Sequence, residues 1–252
     1  MTTLLKAVSF DLWDTLIDDE SDEPKRRAQG LRPKPAERRH LLWQALGRHQ
    51  PLSLEEVTRA YDAADAQFRK AWSEDAVTWP VVERLRVALD ALGRSLPEHE
   101  LEDLAESMGR MEVDIPPDPV PGIGGVLQEL SRRYKLSVIS DAIVTPGARL
   151  RELLEGHGLM NFFSAFAFSD EVGRSKPHPS MFEAAARGLG VELAEMVHVG
   201  DRDANDVKGA QALGMKAVLF TAARDADKAA TSADALCENP ADLPAIIDGL
   251  AQ

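Results

Sequence analysis

Short apolar runs alternate with helical patterns along much of this chain, and this alternation constrains the fold more than any other feature. The apolar runs lie at 4–10, 136–140, 162–168, 196–199 and 216–220. Patterns with helical spacing of apolar residues lie at 123–134, 147–157, 179–189 and 204–213. Buried strands that alternate with helices form parallel sheets with helices on both faces. The sequence therefore predicts an α/β fold.

Residues 18–118 differ from the rest of the chain because they contain helical patterns and no strand-like run. Apolar residues three and four apart predict helices at 36–46, 53–72, 81–92 and 98–111. The second of these begins with a capping box formed by Ser53 and Glu56. The proline-rich run 115–122 cannot be helix or central strand and is predicted to be a linker. We predict an α/β core, residues 1–17 and 119–252, interrupted by an all-helical insert at 18–118.

The composition excludes several classes of protein. The formal net charge of −13 argues against a nucleic-acid-binding surface. No run of about eighteen apolar residues occurs, so no membrane-spanning helix is expected. The single cysteine, Cys237, excludes an internal disulfide and fits a reducing compartment. Residues 1–6 are too few for a signal peptide, so we expect a cytoplasmic location.

Charge is segregated at the start of the insert, where an acidic run at 18–23 precedes a basic run at 25–39. One interpretation is a solvated first helix, because charge runs are usually solvated faces. The alternative is a basic rim that draws an anionic substrate under the inserted helices. Trp43, Trp72 and Trp79 are candidates for lining a substrate site, although aromatic residues on amphipathic helices belong more often to a core.

Acidic residues follow two of the predicted strands. Asp11 ends the first run, and Asp201 and Asp206 follow the run 196–199 after Gly200, which lets the chain turn sharply. Ligands bind at the carboxyl ends of parallel strands, so these carboxylates can converge. Oxygen-only ligands suit Mg²⁺. A carboxylate such as Asp11 can also attack an electrophile and form an acyl-linked intermediate.

Two further positions carry groups that suit phosphate. Lys176 precedes a helical pattern, and its ammonium is placed to hold Asp11 ionised and to offset charge on a transferred group. Ser140 ends the run 136–140, where its hydroxyl and the backbone N–H of Asp141 can donate to a phosphoryl oxygen.

Three other polar residues receive structural interpretations. Asp203 is predicted to cap the helix that follows it. His178 is predicted to lie at a helix start, and His198 to be a hydrogen-bonded histidine within a buried strand.

These segments, in this order, resemble the four motifs of the haloacid dehalogenase superfamily. They are Asp11-Leu12-Trp13-Asp14-Thr15, Ser140, Lys176-Pro177 and the run GDRDAND at 200–206. The resemblance implies a Rossmann-like, doubly wound core, with the insert as a C1-type helical cap. It implies that Asp11 is the nucleophile and carries an aspartyl-phosphate. The implied phosphoryl-binding and catalytic partners are Ser140 and Lys176, beside the backbone N–H of Asp141 as a substrate contact. The implied Mg²⁺ ligands are Asp11, Asp201, Asp206 and the backbone carbonyl of Trp13.

The first motif departs from the family pattern at Trp13. Family phosphatases usually carry Asp there, which protonates the leaving oxygen and then activates water. An indole N–H cannot act as an acid or base near neutral pH. Asp14 follows where the chain turns, and its side chain is expected to point elsewhere. Because general acid–base help contributes about 10²–10⁴-fold, its loss predicts weak activity or a bias toward good leaving groups.

The expected function is a Mg²⁺-dependent phosphohydrolase or phosphotransferase that acts on a small phosphorylated metabolite. Trp13 is expected to contact the substrate. One alternative is a hydrolase that resembles the 2-haloacid dehalogenases, whose first motif carries an aromatic residue at this position. Those enzymes lack the acidic fourth motif that this chain keeps. Another alternative is a catalytically impaired phospholigand-binding protein in which Trp13 fills the place of the acid.

Overall fold

A parallel sheet of six strands forms the centre of the protein. The structure is a computed structural model and describes residues 4–251. The strands are β1 (Ala7–Phe10), β2 (Lys135–Ser140), β3 (Ala165–Phe168), β4 (Met196–Gly200), β5 (Lys216–Phe220) and β6 (Ala235–Cys237). Their order across the sheet is β3-β2-β1-β4-β5-β6, and every neighbouring pair is parallel. The predicted α/β class and the Rossmann-like parallel sheet are confirmed.

Alternate residues of each strand face opposite sides of the sheet, so two separate apolar clusters cover it. Val8 and Phe10 belong to the cluster that packs under α7 (Ile123–Leu130), α8 (Gly147–Gly156) and α12 (Leu243–Leu250). Ala7 belongs to the other cluster, under α10 (Pro179–Leu189) and α11 (Lys208–Gln211). This two-residue period is the expected geometry of a strand buried on both faces.

Two strand predictions are corrected at the edges of the sheet. The run 162–168 begins too early, because Met160–Phe162 form a 3-10 turn and β3 starts at Ala165. The strand β6 was missed, since it has only three residues and carries no apolar run long enough to stand out.

The helices between β1 and α7 are α1 (Asp22–Ala28), α2 (Lys34–Gly47), α3 (Leu54–Asp75), α4 (Val81–Ala91), α5 (Glu98–Gly109) and α6 (Met111–Asp114). A third apolar cluster, which includes Leu42, Val57, Leu85 and Met108, is formed by α2 to α6 alone. The capping box at the start of α3 is confirmed, since Ser53 Oγ accepts from Glu56 N–H at 3.2 Å and Glu56 Oε2 accepts from Ser53 N–H at 2.9 Å. The division into a core and an insert at 18–118 stays a prediction.

The chain leaves β1 and returns to α7 along one antiparallel seam. Ile17 and Pro119 form an isolated bridge. The N–H of Val120 donates to the carbonyl of Leu16, and the N–H of Asp18 donates to the carbonyl of Asp118, both at 2.9 Å. The outgoing and returning segments are therefore neighbours.

Within residues 4–251, no helix combines the length and the apolar character that a membrane crossing requires.

Candidate active site

The predicted site residues come together at the carboxyl edge of the sheet. Asp11 directly follows β1, Ser140 ends β2, and Asp201 directly follows β4. Since these strands are adjacent and parallel, their ends meet at one edge. Lys176 reaches the same place from the turn between α9 (Ser169–Val172) and α10.

A buried ion-pair cluster, called here the Lys176 cluster, consists of Lys176, Asp11 and Asp206. Lys176 Nζ lies 2.6 Å from Asp11 Oδ1 and 2.7 Å from Asp206 Oδ1. All three residues are buried. Burial alone would lower the pKa of Lys176, but the nearby carboxylates outweigh it and raise that pKa above the ordinary lysine value. The lysine is therefore held as an ammonium against the predicted nucleophile.

Asp206 is the most firmly held carboxylate of the site. It lies in a π-helical turn, Asp203–Val207, and accepts from the N–H of Arg202 at 3.0 Å. Its Oδ1 also contacts His198 Nε2 at 3.2 Å. Burial would raise the pKa of Asp206, but Lys176 and His198 hold it below the ordinary aspartate value. Gly200 permits this packing, because a Cβ there would lie 2.3 Å from the Asp206 carboxyl carbon.

Carboxylates outnumber cations around Asp11. Oxygens of Asp11, Asp201 and Asp206 all lie within 4.8 Å of one another. Burial raises the pKa of Asp11, and Lys176 only partly offsets this. Burial, together with the charges of Asp11 and Asp206, raises the pKa of Asp201 to about 8. Arg224 also contacts Asp201, at 3.3 Å. Three converging buried carboxylate oxygens fit a hard divalent cation such as Mg²⁺.

Ser140 and Asp141 lie where the sequence predicts phosphoryl contacts. Ser140 Oγ is buried and has no hydrogen-bond partner among the described residues, so its hydroxyl remains available to a ligand. The Asp141 carboxylate accepts from the N–H of Lys176 at 2.9 Å and from the indole N–H of Trp72 at 3.1 Å. Burial raises the pKa of Asp141 to about 6, although Lys176 acts in the opposite direction.

Trp72 is the one candidate tryptophan that reaches this site. Its ring lies on α3, and its bond to Asp141 links the inserted helices to the end of β2. Trp43 instead donates to the carbonyl of Leu52 at 2.9 Å. Trp79 packs against Phe68, with ring centroids 6.2 Å apart. The spacing of aromatic residues on a predicted helix cannot distinguish a tryptophan at the site from one packed between helices. Spacing does not show which face of the helix meets the α/β core.

Two adjoining cavities open from the edge of the sheet. A small cavity of about 50 Å³ is lined by residues that include Asp11, Trp13, Trp72, Asp141 and Lys176. A larger one of about 230 Å³ is lined mainly by the start of α2, the loop after β2 and the segment that leads into α1. Both are lined by Trp13, Asp141, Ile143 and Arg202. The arrangement fits a reacting group held in the small cavity and the rest of a substrate held in the larger one.

Trp13 and Asp14 take different places after Asp11. Trp13 is half-buried and lines both cavities. Asp14 has a left-handed backbone with φ of 55°, and its Oδ1 accepts from the N–H of Asp19 at 3.2 Å. Asp14 is absent from the residues that line either cavity. This arrangement agrees with the expectation that its side chain points elsewhere.

The basic run at 25–39 is not a uniformly solvated face. Lys34 is buried against Asp22 at 2.8 Å and Glu112 at 3.1 Å. Arg39 forms an ion pair with Asp62. Arg38 lines the larger cavity; its Nε is buried without a hydrogen-bond partner, and it forms no ion pair within residues 4–251. The interpretation as a solvated helix is therefore wrong for Lys34, and Arg38 remains available to an anion.

Two of the three structural interpretations agree with the structure. His178 caps α10, with its ring accepting from the N–H of Ser180 at 3.3 Å. His198 is a hydrogen-bonded histidine of β4, and its Nδ1 lies 2.9 Å from Ser9 Oγ. The capping role of Asp203 is wrong, because its carboxylate accepts from Thr231 Oγ1 at 2.7 Å and Ser232 N–H at 3.1 Å. Sequence reasoning missed that His198 also supports Asp206.

Two curated relatives are similar to parts of this chain. A glyceraldehyde 3-phosphate phosphatase from Methanopyrus kandleri is 36% identical over 101 residues, which cover 40% of this chain and 42% of that protein. A phosphoserine phosphatase from Thermus thermophilus is 35% identical over 163 residues, which cover 63% of each protein. The chain thus matches less than two thirds of the length of either relative.

Solved structures and a family comparison agree on the fold. A phosphatase of the same superfamily from Thermococcus onnurineus has a TM-score of 0.65 at 24% identity and covers 97% of this chain and 99% of its own. A 2-haloacid dehalogenase from Pseudomonas syringae has a TM-score of 0.67 at 23% identity and covers 98% and 99%. Residues 5–214 match the family model described as haloacid dehalogenase-like hydrolase. The chain therefore belongs to the haloacid dehalogenase-like hydrolases.

Proposed function

We propose that this protein is a Mg²⁺-dependent phosphohydrolase that acts on a small phosphate ester through an aspartyl-phosphate on Asp11. The observation that carries the proposal is the Lys176 cluster with Asp201 beside it at the carboxyl edge of the sheet. A buried nucleophile, an ammonium and an excess of carboxylates are the parts that phosphoryl transfer to a carboxylate requires. The names of both curated relatives, a glyceraldehyde 3-phosphate phosphatase and a phosphoserine phosphatase, support the same class of substrate.

The charged and polar residues at the carboxyl edge of the sheet have distinct roles in this proposal. Asp11 attacks phosphorus, while Lys176 offsets the charge on the phosphoryl oxygens and keeps Asp11 oriented. Ser140 Oγ and the N–H of Asp141 donate to those oxygens. Asp11, Asp201 and Asp206 would hold the cation, with the carbonyl of Trp13. The bound cation supplies neutralising charge between the carboxylate and the phosphoryl group.

The larger cavity is lined by both acidic and basic side chains, which include Asp19, Glu20, Glu23, Glu112, Lys34, Arg38 and Arg202. A leaving group with its own negative charge would bind there only at a cation that lacks a carboxylate partner, and Lys34 and Arg202 each have one. Arg38 is the residue that meets this condition, because its guanidinium lines the cavity and has no anionic partner within the described chain. A carboxylate or second phosphate on the leaving group would satisfy it. The proposed substrate class is therefore phosphate esters of small acids.

Paired substrates test this role of Arg38. Arg38→Met should raise KM for carboxymethyl phosphate about 10-fold or more, because a charge-assisted hydrogen bond is lost, and should leave KM for ethyl phosphate unchanged. Arg32→Met is the matched control, since Arg32 pairs with Glu37 and does not line the cavity. Equal effects on both esters would contradict the assignment.

Dehalogenation is the second candidate, and Trp13 is the observation that favours it. Halide leaves without a proton, so that reaction tolerates an indole in place of the acid. The cluster of Asp11, Asp201 and Asp206 speaks against it, because burial together with neighbouring carboxylates raises the pKa of Asp11 and of Asp201, and this disfavours an ionised nucleophile unless a cation is bound.

One experiment separates the two candidates. The purified protein is incubated with a panel of phosphate esters and with 2-chloropropionate, each with Mg²⁺ or with a chelator. Phosphate released only with Mg²⁺, together with a trapped phosphoenzyme, is the expected result. Halide released in the presence of the chelator would instead favour dehalogenation. If neither phosphate nor halide is released, both candidate functions are contradicted.

A further inference from the structure

A phosphate ester with a poor leaving group needs a proton donor, and Trp13 stands where the first motif usually supplies one. Only two of the described residues that line the small cavity carry carboxyl groups, Asp11 and Asp141. Asp11 is committed to attack at phosphorus. We propose that Asp141 is the proton donor and acceptor of the reaction. This inference rests on the proposed phosphohydrolase function.

The position of Asp141 suits transfer to a leaving group. It lines both cavities, so it lies at the boundary between the phosphoryl group in the small cavity and the remainder of the substrate in the larger one. The bond to the leaving oxygen, which the reaction breaks, crosses that boundary.

Two fixed donors hold the Asp141 carboxyl in place. The backbone N–H of Lys176 binds Oδ1, and the indole of Trp72 binds Oδ2. Each carboxyl oxygen offers two lone-pair positions, so one position on each remains for a proton or a substrate. Preorganisation of this kind is what a general acid requires.

The other nearby acids are less suitable. Asp14 binds the N–H of Asp19 and lines neither cavity. Glu112 is already paired with Lys34 and accepts from Thr145. Asp19 lines only the larger cavity.

The electrostatic surroundings allow Asp141 both protonation states near neutral pH. Burial raises its pKa to about 6, with Lys176 opposing and Asp11 adding to the increase. Arg202 lines the same cavities from the loop after β4. The larger cavity adds the cations Lys34 and Arg38 and the acids Asp19, Glu20, Glu23 and Glu112. A group that must give up a proton and then take one back works best when its pKa lies near the working pH.

The proton balance of the cycle is closed. In the first half, an Asp11 oxygen bonds to phosphorus, the bond from phosphorus to the leaving oxygen breaks, and the Asp141 proton moves to that oxygen. In the second half, water attacks phosphorus, the bond to Asp11 breaks, and a water proton returns to Asp141. The products are an alcohol and inorganic phosphate.

Leaving-group dependence in Asp141→Asn tests the proposal. Asparagine keeps an acceptor for Lys176 N–H but carries no titrating proton. Single-turnover alcohol release from ethyl phosphate should fall by about 10²-fold or more. Release of nitrophenol from 4-nitrophenyl phosphate should fall less than about 10-fold, because that oxygen leaves without protonation. A burst of one nitrophenol per enzyme, followed by slow turnover, should mark the stalled aspartyl-phosphate.

A second variant keeps the test decisive if Asp141→Asn loses activity because its fold is destabilised. Trp13→Asp in the Asp141→Asn background supplies a carboxyl at the usual position and should restore ethyl phosphate turnover. Asp14→Asn is the control and should leave both rates unchanged. Equal loss for both esters, without recovery in the double variant, would overturn the inference. If the unaltered protein forms no phosphoenzyme with any ester, the proposed function fails as well. Unchanged turnover in Asp141→Asn overturns the inference alone.

Discussion

Two buried lysines in this molecule are each held between two carboxylates, and their settings differ in one respect. Lys176 lies between Asp11 and Asp206 at the carboxyl edge of the sheet. Lys34 lies between Asp22 and Glu112 among the helices that follow β1; these three residues are called here the Lys34 cluster. The pKa of each lysine is raised, because the carboxylates outweigh the effect of burial.

The difference lies in how a third carboxylate is placed. In the Lys176 cluster, oxygens of Asp11, Asp206 and a third carboxylate, Asp201, lie within 4.8 Å of one another, although Arg224 also contacts Asp201 at 3.3 Å. In the Lys34 cluster, Thr145 Oγ1 donates to Glu112, and the nearby Asp19 belongs to no such converging group of acids among the described residues. The same local arrangement can therefore stabilise a helix junction or prepare a cation site, and the convergence of a third carboxylate decides between these roles.

The largest effect is expected from removal of the nucleophile. Asp11→Asn should lower phosphatase turnover more than about 10⁴-fold, because the variant has no carboxylate to form the intermediate. Asp22→Asn, which alters the corresponding residue of the Lys34 cluster, should keep kcat within about 10-fold. Phosphate release under saturating ester measures both, and surviving turnover in Asp11→Asn would exclude Asp11 as nucleophile.

Removal of either lysine should cost stability, but Mg²⁺ should rescue only one of the variants. Lys176→Met and Lys34→Met each leave two buried carboxylates without an ammonium, at a cost of about 3–5 kcal/mol. Urea unfolding with and without 10 mM Mg²⁺, a concentration of about the order expected to fill such a site, measures the rescue. Mg²⁺ should restore part of the stability in Lys176→Met and none in Lys34→Met. Equal rescue would mean that the Lys34 cluster also binds the cation.

The binding of Mg²⁺ should depend on pH through Asp201. Its pKa is raised to about 8 when no cation is bound. The folded state then holds a proton that the unfolded state has lost, so without Mg²⁺ this group's contribution to stability falls as pH rises from the ordinary aspartate pKa to about 8. Below pH 8, Mg²⁺ must displace this proton, which weakens apparent affinity about tenfold per pH unit.

Thermal unfolding at pH 6, 7, 8 and 9 measures this linkage. The rise in Tm caused by Mg²⁺ should grow up to pH 8 and then level off. Asp201→Asn should show a smaller rise at every pH. The matched control is Asp19, whose pKa burial raises to about 6 beside the Lys34 cluster. Asp19→Asn should leave the Mg²⁺ response unchanged, and a pH-independent response in the unaltered protein would contradict the role of Asp201.

The smallest effects are expected from the neutral donors at the two sites. Trp72→Phe removes the donor to Asp141, and Thr145→Val removes the donor to Glu112. Each should lower the free energy of unfolding by about 1.5–3 kcal/mol, the usual range for a hydrogen bond to a charged group. Only Trp72→Phe should change the leaving-group dependence of turnover, because Asp141 lines the small cavity and Glu112 does not. If Thr145→Val changed the leaving-group dependence of turnover as much as Trp72→Phe, the functional difference between the two clusters would be contradicted.

The sequence was sufficient to predict the strand ends, because short apolar runs followed by Asp11, Ser140 and Asp201 have few other arrangements in a parallel sheet. Lys176 was placed by its position between the other segments, because a Lys-Pro pair alone is a weak signal. The order of the motifs along the chain therefore carries this result, and spacing within one segment does not.

Contacts between distant segments could not be predicted in the same way. The bond from Trp72 to Asp141 joins residues 69 positions apart, and nothing in either local pattern indicates it. The free guanidinium of Arg38 is another case, because its neighbours Lys34 and Arg39 are both paired. Which residue of a basic run lacks an acidic partner depends on how the helices pack against one another. This packing cannot be deduced from a single sequence.

The antiparallel seam at residues 16–18 and 118–120 has a consequence for how the molecule can be rebuilt. The cost of closing a loop grows only slowly with its length when its ends are already held together. The loop-closure cost of changing the length of the segment between Asp18 and Asp118 is therefore small. A new set of helices grafted at this junction would change which molecules reach Asp11, but it would also have to replace the Trp72 donor to Asp141. Substrate choice and chemistry are thus joined through this contact.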